Sequence, residues 1–177
     1  GLLDQLLSLA RVQEPSDAAQ TQAVSVRQIY RQVLEDLLPL AEAKHIDIGV
    51  IDGSDVQVLA SAIDLATLVK NLADNAIRYT PQGGRIDLSV RLQGVSAILA
   101  VEDSGPGIAE AERSRVFDPF YRVLGSGQEG SGLGLAIVHA ICTRIGGTVN
   151  LAYTDAARGA GLRVEVQDRK SKRLNSS

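Results

Sequence analysis

The sequence predicts an α/β fold, a two-layer sandwich in which helices cover one face of a mixed, mostly antiparallel sheet. Segments whose apolar residues recur every three or four positions are interspersed with short segments in which apolar and polar residues alternate one by one. Neighbouring strand-like segments are separated by a few turn residues, which is typical of antiparallel pairs. A chain of 177 residues, 45% of them hydrophobic, is long enough to bury one core of this kind with a short appendage.

A first helix is predicted over residues 2–12, where leucines recur at helical spacing: Leu2, Leu3, Leu6, Leu7 and Leu9. Pro15 follows and ends it, because proline restricts its own φ angle and the conformation of the residue before it. Such a short helix is marginal alone, so we expect its leucine face to pack against a partner helix or against the rest of the chain. A polar linker at 15–21 separates residues 1–14 from the main domain at 22–168.

The main domain opens with a short edge strand at 22–24. Ser25 can then cap a helix over 26–44, because its hydroxyl can accept from a free N–H of the first turn. Pro39 lies inside that helix and is expected to kink or restart it.

A hairpin is predicted next, because two alternating segments, 46–51 and 56–59, flank an Asp-Gly pair, which is a strong turn signal. The remaining elements are a helix over 65–79, strands at 85–92 and 96–102, a helical start within 108–117, a polar segment at 118–129, a helix over 132–145 ended by Gly146-Gly147, and a hairpin of 149–153 with 162–167. The basic tail at 169–177 is predicted to be disordered.

Composition narrows the class of protein. The net charge of −3 does not favour nucleic acid as a partner, and no apolar run approaches the roughly 18 residues of a membrane-spanning helix. The single cysteine, Cys142, excludes an internal disulfide and suits a reducing cytoplasm, and we expect it to be a small core residue. The chain begins at Gly1 and contains no methionine, so we expect it to be a fragment of a longer protein.

Three motifs carry the candidate site, and the first is NLADNAIRYTP at residues 71–81. Asn71, Asn75 and Arg78 are four and three positions apart, so they share one helix face. Asparagine is a poor residue inside a helix, and a carboxamide oxygen suits a hard cation such as Mg²⁺, while a guanidinium suits phosphate. Taken alone this face would be interpreted as solvated surface, but the two loops downstream favour a functional one.

The second motif, DSGPGI, places Asp103 directly after a hydrophobic strand. Its glycines, Gly105 and Gly107, let the backbone approach a ligand closely, and Ile108 follows them. A carboxylate at a strand end can accept a hydrogen bond from an exocyclic amine such as that of adenine. Taken alone, such an aspartate is better explained as the start of a turn.

The third motif, GSGLGLAIV, is a glycine-rich loop that opens a helix, and its loop residues are Gly130, Ser131, Gly132, Leu133 and Gly134. Free N–H groups and the positive end of the helix dipole favour phosphate oxygens there. The loop is not a Walker loop, since no Gly-Lys-Ser/Thr follows, and no strand rich in Ile and Val runs straight into it as in a Rossmann fingerprint. In this order, the three motifs predict a pocket for a nucleotide with its metal and phosphates.

The segment between the two glycine loops is predicted to be a lid with aromatic anchors. Seven of the 17 glycines lie between Gly105 and Gly134. Four of the six aromatic residues lie in the first motif or in this segment: Tyr79, Phe117, Phe120 and Tyr121. Arg122 in the same segment is a candidate phosphate contact, and a solvated arginine is the alternative interpretation.

These motifs resemble those of the catalytic ATP-binding domain of bacterial sensor histidine kinases, in the GHKL superfamily that also includes DNA gyrase, a class of heat-shock chaperones and mismatch-repair ATPases. Residues 71–81 resemble the N box, 103–108 the first glycine box, 117–122 the F box and 130–135 the second glycine box, and the likeness extends over 24–167. The resemblance implies a Bergerat-type sandwich that holds ATP between the helix layer and the lid.

The resemblance also implies roles for single residues. Asn75 matches the Mg²⁺ ligand, and Asn71 and Arg78 match residues beside the phosphates. Tyr79 matches a neighbour of adenine, and Asp103 matches the carboxylate that recognises it. ATP and Mg²⁺ are thus the implied ligands, and residues 1–14 resemble the end of the second helix of the family's dimerisation and phosphoacceptor domain.

The residue at position 71 bears on the choice between kinase and hydrolase. The ATP hydrolases of this superfamily resemble one another in carrying glutamate at the position of Asn71, where it acts as a general base toward water. A carboxamide cannot accept that proton, so the sequence favours a histidine kinase, which transfers phosphoryl to an external nucleophile. Two alternatives stay open: an anti-sigma-type serine kinase of the same superfamily, and a nucleotide-binding regulatory module without turnover.

The phosphoacceptor motif of the family is missing here, because His45 and His139 lack its neighbouring residues and are interpreted as structural or surface residues. We therefore expect the acceptor histidine to lie on the parent protein's own dimerisation domain, and a response regulator to act downstream. The resemblance implies a homodimeric, membrane-anchored parent with a cytoplasmic catalytic domain. The chain alone is expected to be monomeric and to bind no nucleic acid.

Overall fold

The fold is built from four helices and eight strands within residues 1–14, 21–122, 132–168 and 174–175, which the computed structural model describes. In chain order they are α1 (Leu2–Gln13), β1 (Gln22–Ser25), α2 (Val26–Ala43), β2 (Asp47–Val50), β3 (Val56–Ala60), α3 (Ala62–Tyr79), β4 (Arg85–Gln93), β5 (Ser96–Asp103), α4 (Gly134–Arg144), β6 (Gly147–Ala152), β7 (Arg163–Asp168) and β8 (Leu174–Asn175).

A five-stranded sheet forms one layer, with the spatial order β2-β4-β5-β7-β6. β2 and β4 are parallel, and the other neighbouring strands are antiparallel. The pairs β4–β5 and β6–β7 follow one another in the sequence, so short connections suffice to join them. The predicted mixed, mostly antiparallel sheet is confirmed, as are the strands at 85–92 and 96–102 and the hairpin of 149–153 with 162–167.

The two faces of this sheet differ in polarity. Along β4, every second residue from Ile86 to Val90 is buried in the core beneath the helices. On the opposite face charged side chains pair across the strands: Arg163 on β7 lies 2.9 Å from Glu102 on β5 and 2.5 Å from Glu165 on its own strand. The helices therefore cover one face only, as predicted for a two-layer sandwich.

The helices form the second layer, in which α3 packs against both α2 and α4, and α1 packs against α4. Their apolar stripes and the inner face of the sheet share one core, whose largest fully buried side chains include Tyr30, Leu65, Leu68, Ile86, Leu88, Leu133, Ile137 and Ile141. None of the helices in the described ranges combines the length and the apolarity that a membrane crossing needs.

Two serine caps define where the longer helices begin. The hydroxyl of Ser25 accepts a hydrogen bond from the Gln28 N–H at 3.1 Å, and that of Ser61 accepts from the Asp64 N–H at 3.4 Å. α2 is continuous through Pro39, so the predicted restart of the helix there is wrong. Pro39 lies on the exposed side of the last turns, where water can bond the carbonyl that the proline leaves without a donor.

The predicted hairpin of 46–51 with 56–59 is wrong, because β2 joins the five-stranded sheet whereas β3 pairs with β1 in a separate small sheet. Asp55 explains the separation. Its carboxylate accepts from the Ser25 hydroxyl at 2.5 Å and from the backbone N–H groups of Arg27 and Val56 at 3.1 and 2.8 Å. These bonds hold the start of β3 at the N-terminus of α2, away from β2.

The predicted helical start within 108–117 is limited to a single 3₁₀ turn at Glu110–Glu112, followed by further turns. Only Ile108 and Val116 of this segment are buried, and they lie eight residues apart. A continuous helix needs an apolar stripe to pack, and this segment does not provide one.

Of the tail at 169–177, which the sequence predicts to be disordered, the structure describes two residues. Leu174–Asn175 pairs with β3 as the two-residue strand β8. The free edge of β3 offers unpaired backbone groups that a passing segment can bond.

α1 is docked on the helix layer through its C-terminal half. Val12 is 3% exposed and belongs to the core. The Arg11 guanidinium lies 2.7 Å from Asp64 at the start of α3, and Arg144 at the end of α4 lies 3.4 Å from the same carboxylate. Arg144 also donates to the Arg11 carbonyl at 3.2 Å. We call these three residues the α1 clamp.

The leucine face of α1 is only partly used in this docking. Leu9 packs against the core, whereas Leu2, Leu3, Leu6 and Leu7 are all exposed. The expectation that this face packs against the rest of the chain therefore holds only for its C-terminal end.

The cysteine of α4 is a core residue, as expected. Cys142 is 1% exposed, and burial raises the pKa of its thiol to about 12. At neutral pH the thiol is therefore protonated and shielded.

Candidate functional site

A cavity of about 370 Å³ lies between α3, the carboxyl end of β5 and the start of α4. The predicted site residues that line it are Asn71, Asn75, Arg78, Tyr79, Asp103, Gly107, Ile108, Tyr121, Gly132 and Gly134. Residues of all three motifs therefore meet in one cavity.

The polar face of α3 forms one wall. Helical spacing places Asn71, Asn75 and Arg78 on this face, while the opposite face of α3 is buried in the core. The Asn71 amide donates to the Thr67 carbonyl at 2.8 Å, which orients the side chain. Arg78 lies 3.1 Å from Asp74, one helical turn earlier, so its charge is partly balanced within the wall.

The start of α4 faces this wall at close range. A Cβ atom at Gly134 would lie 3.1 Å from both terminal atoms of Asn75, so glycine allows α4 to approach the carboxamide. Gly132 has a φ of +75°, and a Cβ there would lie 2.8 Å from the Phe120 backbone. α4 begins without a side-chain cap, and the positive end of its dipole therefore favours an anion at this side of the cavity.

Asp103 lies at the end of β5 and is 6% exposed. One oxygen of its carboxylate, Oδ1, accepts from the backbone N–H groups of Gly105 and Leu162 at 2.9 and 3.0 Å. Burial raises the pKa of Asp103, and these two hydrogen bonds oppose that rise. Within the described part of the chain, Oδ2 has no hydrogen-bond donor, so it can accept one from a ligand.

The wall near the predicted lid contains Tyr121, whose hydroxyl donates to Glu112 at 2.8 Å. That hydrogen bond raises the pKa of Tyr121. The Arg115 guanidinium lies 4.7 Å from the centre of the Tyr121 ring, and the Phe120 N–H donates to the Gly132 carbonyl at 2.9 Å. These contacts tie the described start of the predicted lid to the glycine loop.

Several predicted site residues do not line the cavity. Gly105 acts through its N–H on Asp103, Leu133 is fully buried in the core, and Arg122 is exposed outside the cavity. Gly130 and Ser131, with the rest of the predicted lid at 123–131, lie outside the described residues. Their roles, and those of the three residues above, stay predictions.

Four polar or aromatic residues that line the cavity were not predicted from the sequence: Gln5, Asp74, Glu112 and Tyr153. Tyr153 directly follows β6, and a Cβ on Gly107 would lie 2.8 Å from the Tyr153 ring. The tyrosine ring therefore closes one side of the glycine loop. Its aromatic nature in an aromatic-poor chain was a usable signal. The role of Gln5 could not be predicted from the sequence, because a linker separates this residue from the main domain.

The donor set of the cavity suits a hard cation that brings its own anionic ligands. Among the described residues, no group of three His, Cys, Asp or Glu could hold a metal ion. The carboxamide oxygens of Asn71 and Asn75 are neutral oxygen donors, which Mg²⁺ accepts together with phosphate oxygens and water. The site therefore fits a cation bound with a polyphosphate.

Comparison with known proteins agrees with this geometry. Residues 60–170 match the family described as histidine kinase-, DNA gyrase B- and HSP90-like ATPases. The swarming motility regulation sensor protein RssA of Serratia marcescens is 32% identical over 93% of the chain, and the sensor protein kinase PmrB of Pseudomonas aeruginosa is 36% identical over 93%. The chain spans about a third of each relative, 35% and 34% of their lengths.

Two solved structures of sensor kinases superpose on this chain. The mycobacterial sensor histidine kinase MprB superposes with a TM-score of 0.75 at 29% identity, over 87% of this chain and 99% of that one. Full-length ShkA, solved in complex with AMPPNP, superposes with a TM-score of 0.79 at 28% identity, over 99% of this chain and 36% of ShkA. The chain therefore belongs to the family of histidine kinase-, DNA gyrase B- and HSP90-like ATPases, as an ATP-binding catalytic domain of the sensor histidine kinase type.

Proposed function

We propose that this chain binds ATP with Mg²⁺ in the cavity and donates the γ-phosphoryl group to a histidine on the parent protein's dimerisation domain. One observation carries the proposal: a single cavity joins the buried carboxylate of Asp103 to the carboxamides of Asn71 and Asn75 and to the start of α4. A base-recognition group and a phosphate-binding wall are the two halves of a nucleotide site.

Asp103 is the adenine-recognition group in this proposal. Its Oδ1 atom is fixed by two backbone N–H groups, which leaves Oδ2 to accept from the exocyclic amine of adenine. Tyr79 and Tyr153 line the same cavity and supply aromatic surface for the base.

Asn75 would hold the cation, with Asn71 and Arg78 beside the phosphates. Bound there, Mg²⁺ neutralises phosphate charge and orients the terminal phosphoryl group. Arg78 has five N–H donors, so it can keep its contact with Asp74 and also donate to a phosphate oxygen. The proposed ligand role of Asn75 is supported by its position against Gly134, where the dipole of α4 begins.

The carboxylates of the cavity argue for transfer to an external nucleophile rather than to water. Among the described lining residues, Asp74 is paired with Arg78, Glu112 accepts from Tyr121, and Asp103 is fixed by backbone N–H groups. Asn71 has no basic atom of the strength a hydrolase base needs. The described lining residues therefore offer no unengaged proton acceptor for a hydrolytic reaction.

A histidine acceptor needs no such base, because its neutral ring carries a lone pair on one nitrogen. That nitrogen bonds to the γ-phosphorus as the bond to the bridging oxygen breaks and ADP leaves, and the ring then releases its other N–H proton. His45 and His139 are exposed and do not line the cavity, so they are not the acceptor.

The assembly that follows from this function is also a proposal. The parent would be a homodimeric, membrane-anchored sensor with this domain in the cytoplasm, and its phosphohistidine would pass the phosphoryl group to a response regulator. Sensor proteins such as RssA and PmrB match the chain over a third of their length, which leaves room for such further parts. The chain alone would be monomeric.

Phosphoryl transfer is testable with the chain as it stands. We expect ATP labelled at the γ-phosphate, with Mg²⁺, to give acid-labile label on a separately made dimerisation domain of a related kinase. Asn75→Ala should abolish Mg²⁺-dependent ATP binding and transfer, whereas Asn150→Ala, at an exposed asparagine of β6, should leave both unchanged. Unchanged affinity of Asn75→Ala in Mg²⁺ titrations would remove the metal-ligand role.

The other outcomes of this labelling experiment distinguish the alternative functions. Release of free phosphate without label on the added domain would indicate an ATPase and contradict the interpretation of Asn71. Acid-stable label on a serine would indicate a serine kinase. Binding of ATP with neither outcome would support a regulatory module.

A further inference from the structure

Gln5 lies on α1, outside the main domain, yet it lines the same cavity as Asn71 and Asn75. Its Oε1 atom is buried and has no hydrogen-bond partner among the described residues. A buried acceptor without a donor costs free energy, so the side chain is stabilised when rotation of its terminal amide turns Oε1 toward a donor that arrives in the cavity.

The docking of α1 explains how Gln5 reaches the cavity. The α1 clamp joins Arg11 to Asp64, and Gln5 lies six residues before Arg11 whereas Asn71 lies seven after Asp64. At a rise of ~1.5 Å per residue these offsets are about 9 and 10.5 Å. An antiparallel arrangement of α1 and α3 would place Gln5 at the level of Asn71, which agrees with the cavity that both residues line.

The atoms that gather at this level are acceptors. Asn71 uses its amide N–H on Thr67, which leaves its carboxamide oxygen for a ligand. A triphosphate carries only acceptor oxygens and cannot supply a hydrogen bond to Gln5 Oε1. Water molecules around a divalent cation can, because the cation polarises them and Mg²⁺ usually retains several.

We propose that Gln5 is a positioning residue for the hydrated divalent cation that accompanies the triphosphate, with its Oε1 accepting a hydrogen bond from the cation's water. The proposal rests on the nucleotide-binding function argued above. It makes α1 part of the nucleotide site, so that the position of this helix and the binding of Mg²⁺-ATP depend on each other.

The test compares ATP affinity with Mg²⁺ and with a chelator in wild type, Gln5→Ala and Gln13→Ala, the last at an exposed glutamine of the same helix. We expect Gln5→Ala to weaken Mg²⁺-ATP about fivefold, the size of one hydrogen bond, and to leave metal-free ATP unchanged. Gln13→Ala should match wild type in both conditions.

A second variant separates recognition from packing. Gln5→Glu retains acceptor oxygens, so its affinity for Mg²⁺-ATP should exceed that of Gln5→Ala. Equal weakening of ATP with and without Mg²⁺, tighter binding in Gln5→Ala, or a Gln5→Glu as weak as Gln5→Ala would each overturn the proposal. Wild type that binds no ATP in Mg²⁺ would instead contradict the proposed function itself.

Discussion

Asp103 combines a fixed geometry with an unfavourable environment for its charge. Two backbone N–H groups hold Oδ1, while burial raises the pKa of the carboxyl group. A group held in this way serves recognition at a cost in stability, which is common at functional sites.

The substitution Asp103→Asn tests the recognition role. The amide offers a donor where the adenine amine needs an acceptor, and a donor suits the carbonyl oxygen of guanine. We expect ATP affinity to fall about tenfold and the preference for ATP over GTP to shrink, as measured by direct binding of both nucleotides. An equal loss for the two nucleotides would indicate misfolding rather than lost recognition.

At the scale of elements, the α1 clamp determines whether α1 belongs to the folded unit. Asp64 has a side chain only 3% exposed and serves two arginines from different helices. Its backbone N–H is meanwhile bonded to Ser61, so the clamp and the start of α3 share one residue.

We expect Asp64→Asn to lower the free energy of unfolding by about 2 kcal/mol, because hydrogen bonds to a buried charge are lost while both arginines remain. Urea unfolding followed by circular dichroism measures it. The matched control is Asp4→Asn, since Asp4 pairs with the N-terminus but is 86% exposed, and should change stability by less than about 0.5 kcal/mol. Equal effects of the two variants would show that the clamp contributes nothing.

Local sequence predicted the elements whose partners lie next to them in the chain. The strands β4 and β5, the hairpin β6–β7 and the helix α3 follow from alternation, helical spacing and turn residues. The pairing of β2 with β4 and of β3 with β1 could not be predicted, because contacts such as those of Asp55 with the start of α2 join distant segments.

In the candidate site, too, local sequence predicts some residues, whereas others depend on contacts between distant segments. Asn71, Asn75 and Asp103 could be predicted from residue type and spacing, and they line one cavity. Tyr153 and Gln5 reach that cavity through the sheet and through the docking of α1, and both depend on tertiary packing. Motifs therefore located the site, and packing completed its walls.

For the molecule as a whole, burial of Asp103 makes stability depend on pH with a definite sign. Its pKa is raised on folding, so the folded chain binds this proton more readily than the unfolded chain. The contribution of this group to stability is complete below the ordinary carboxyl pKa of about 4 and is lost as pH rises through the raised value.

The amide of the Asp103→Asn variant does not ionise, so the stability of the variant does not decrease with pH for this reason. The melting temperature of the variant relative to wild type should therefore rise between about pH 4 and pH 7, with the steepest change above the ordinary carboxyl pKa. Thermal unfolding of both proteins across this range measures the difference. A difference that stays constant, or falls as pH rises, would contradict the effect of burial on Asp103.

The buried thiol of α4 has a practical consequence. With Cys142 1% exposed and its pKa raised to about 12, a maleimide dye at neutral pH has no accessible thiolate to attack in the folded chain. Cys142 therefore does not have to be replaced before a cysteine is introduced for labelling. A single Glu110→Cys substitution, at an exposed position next to Ala109 of the cavity wall, would accept one fluorophore and follow nucleotide arrival without any change to the core.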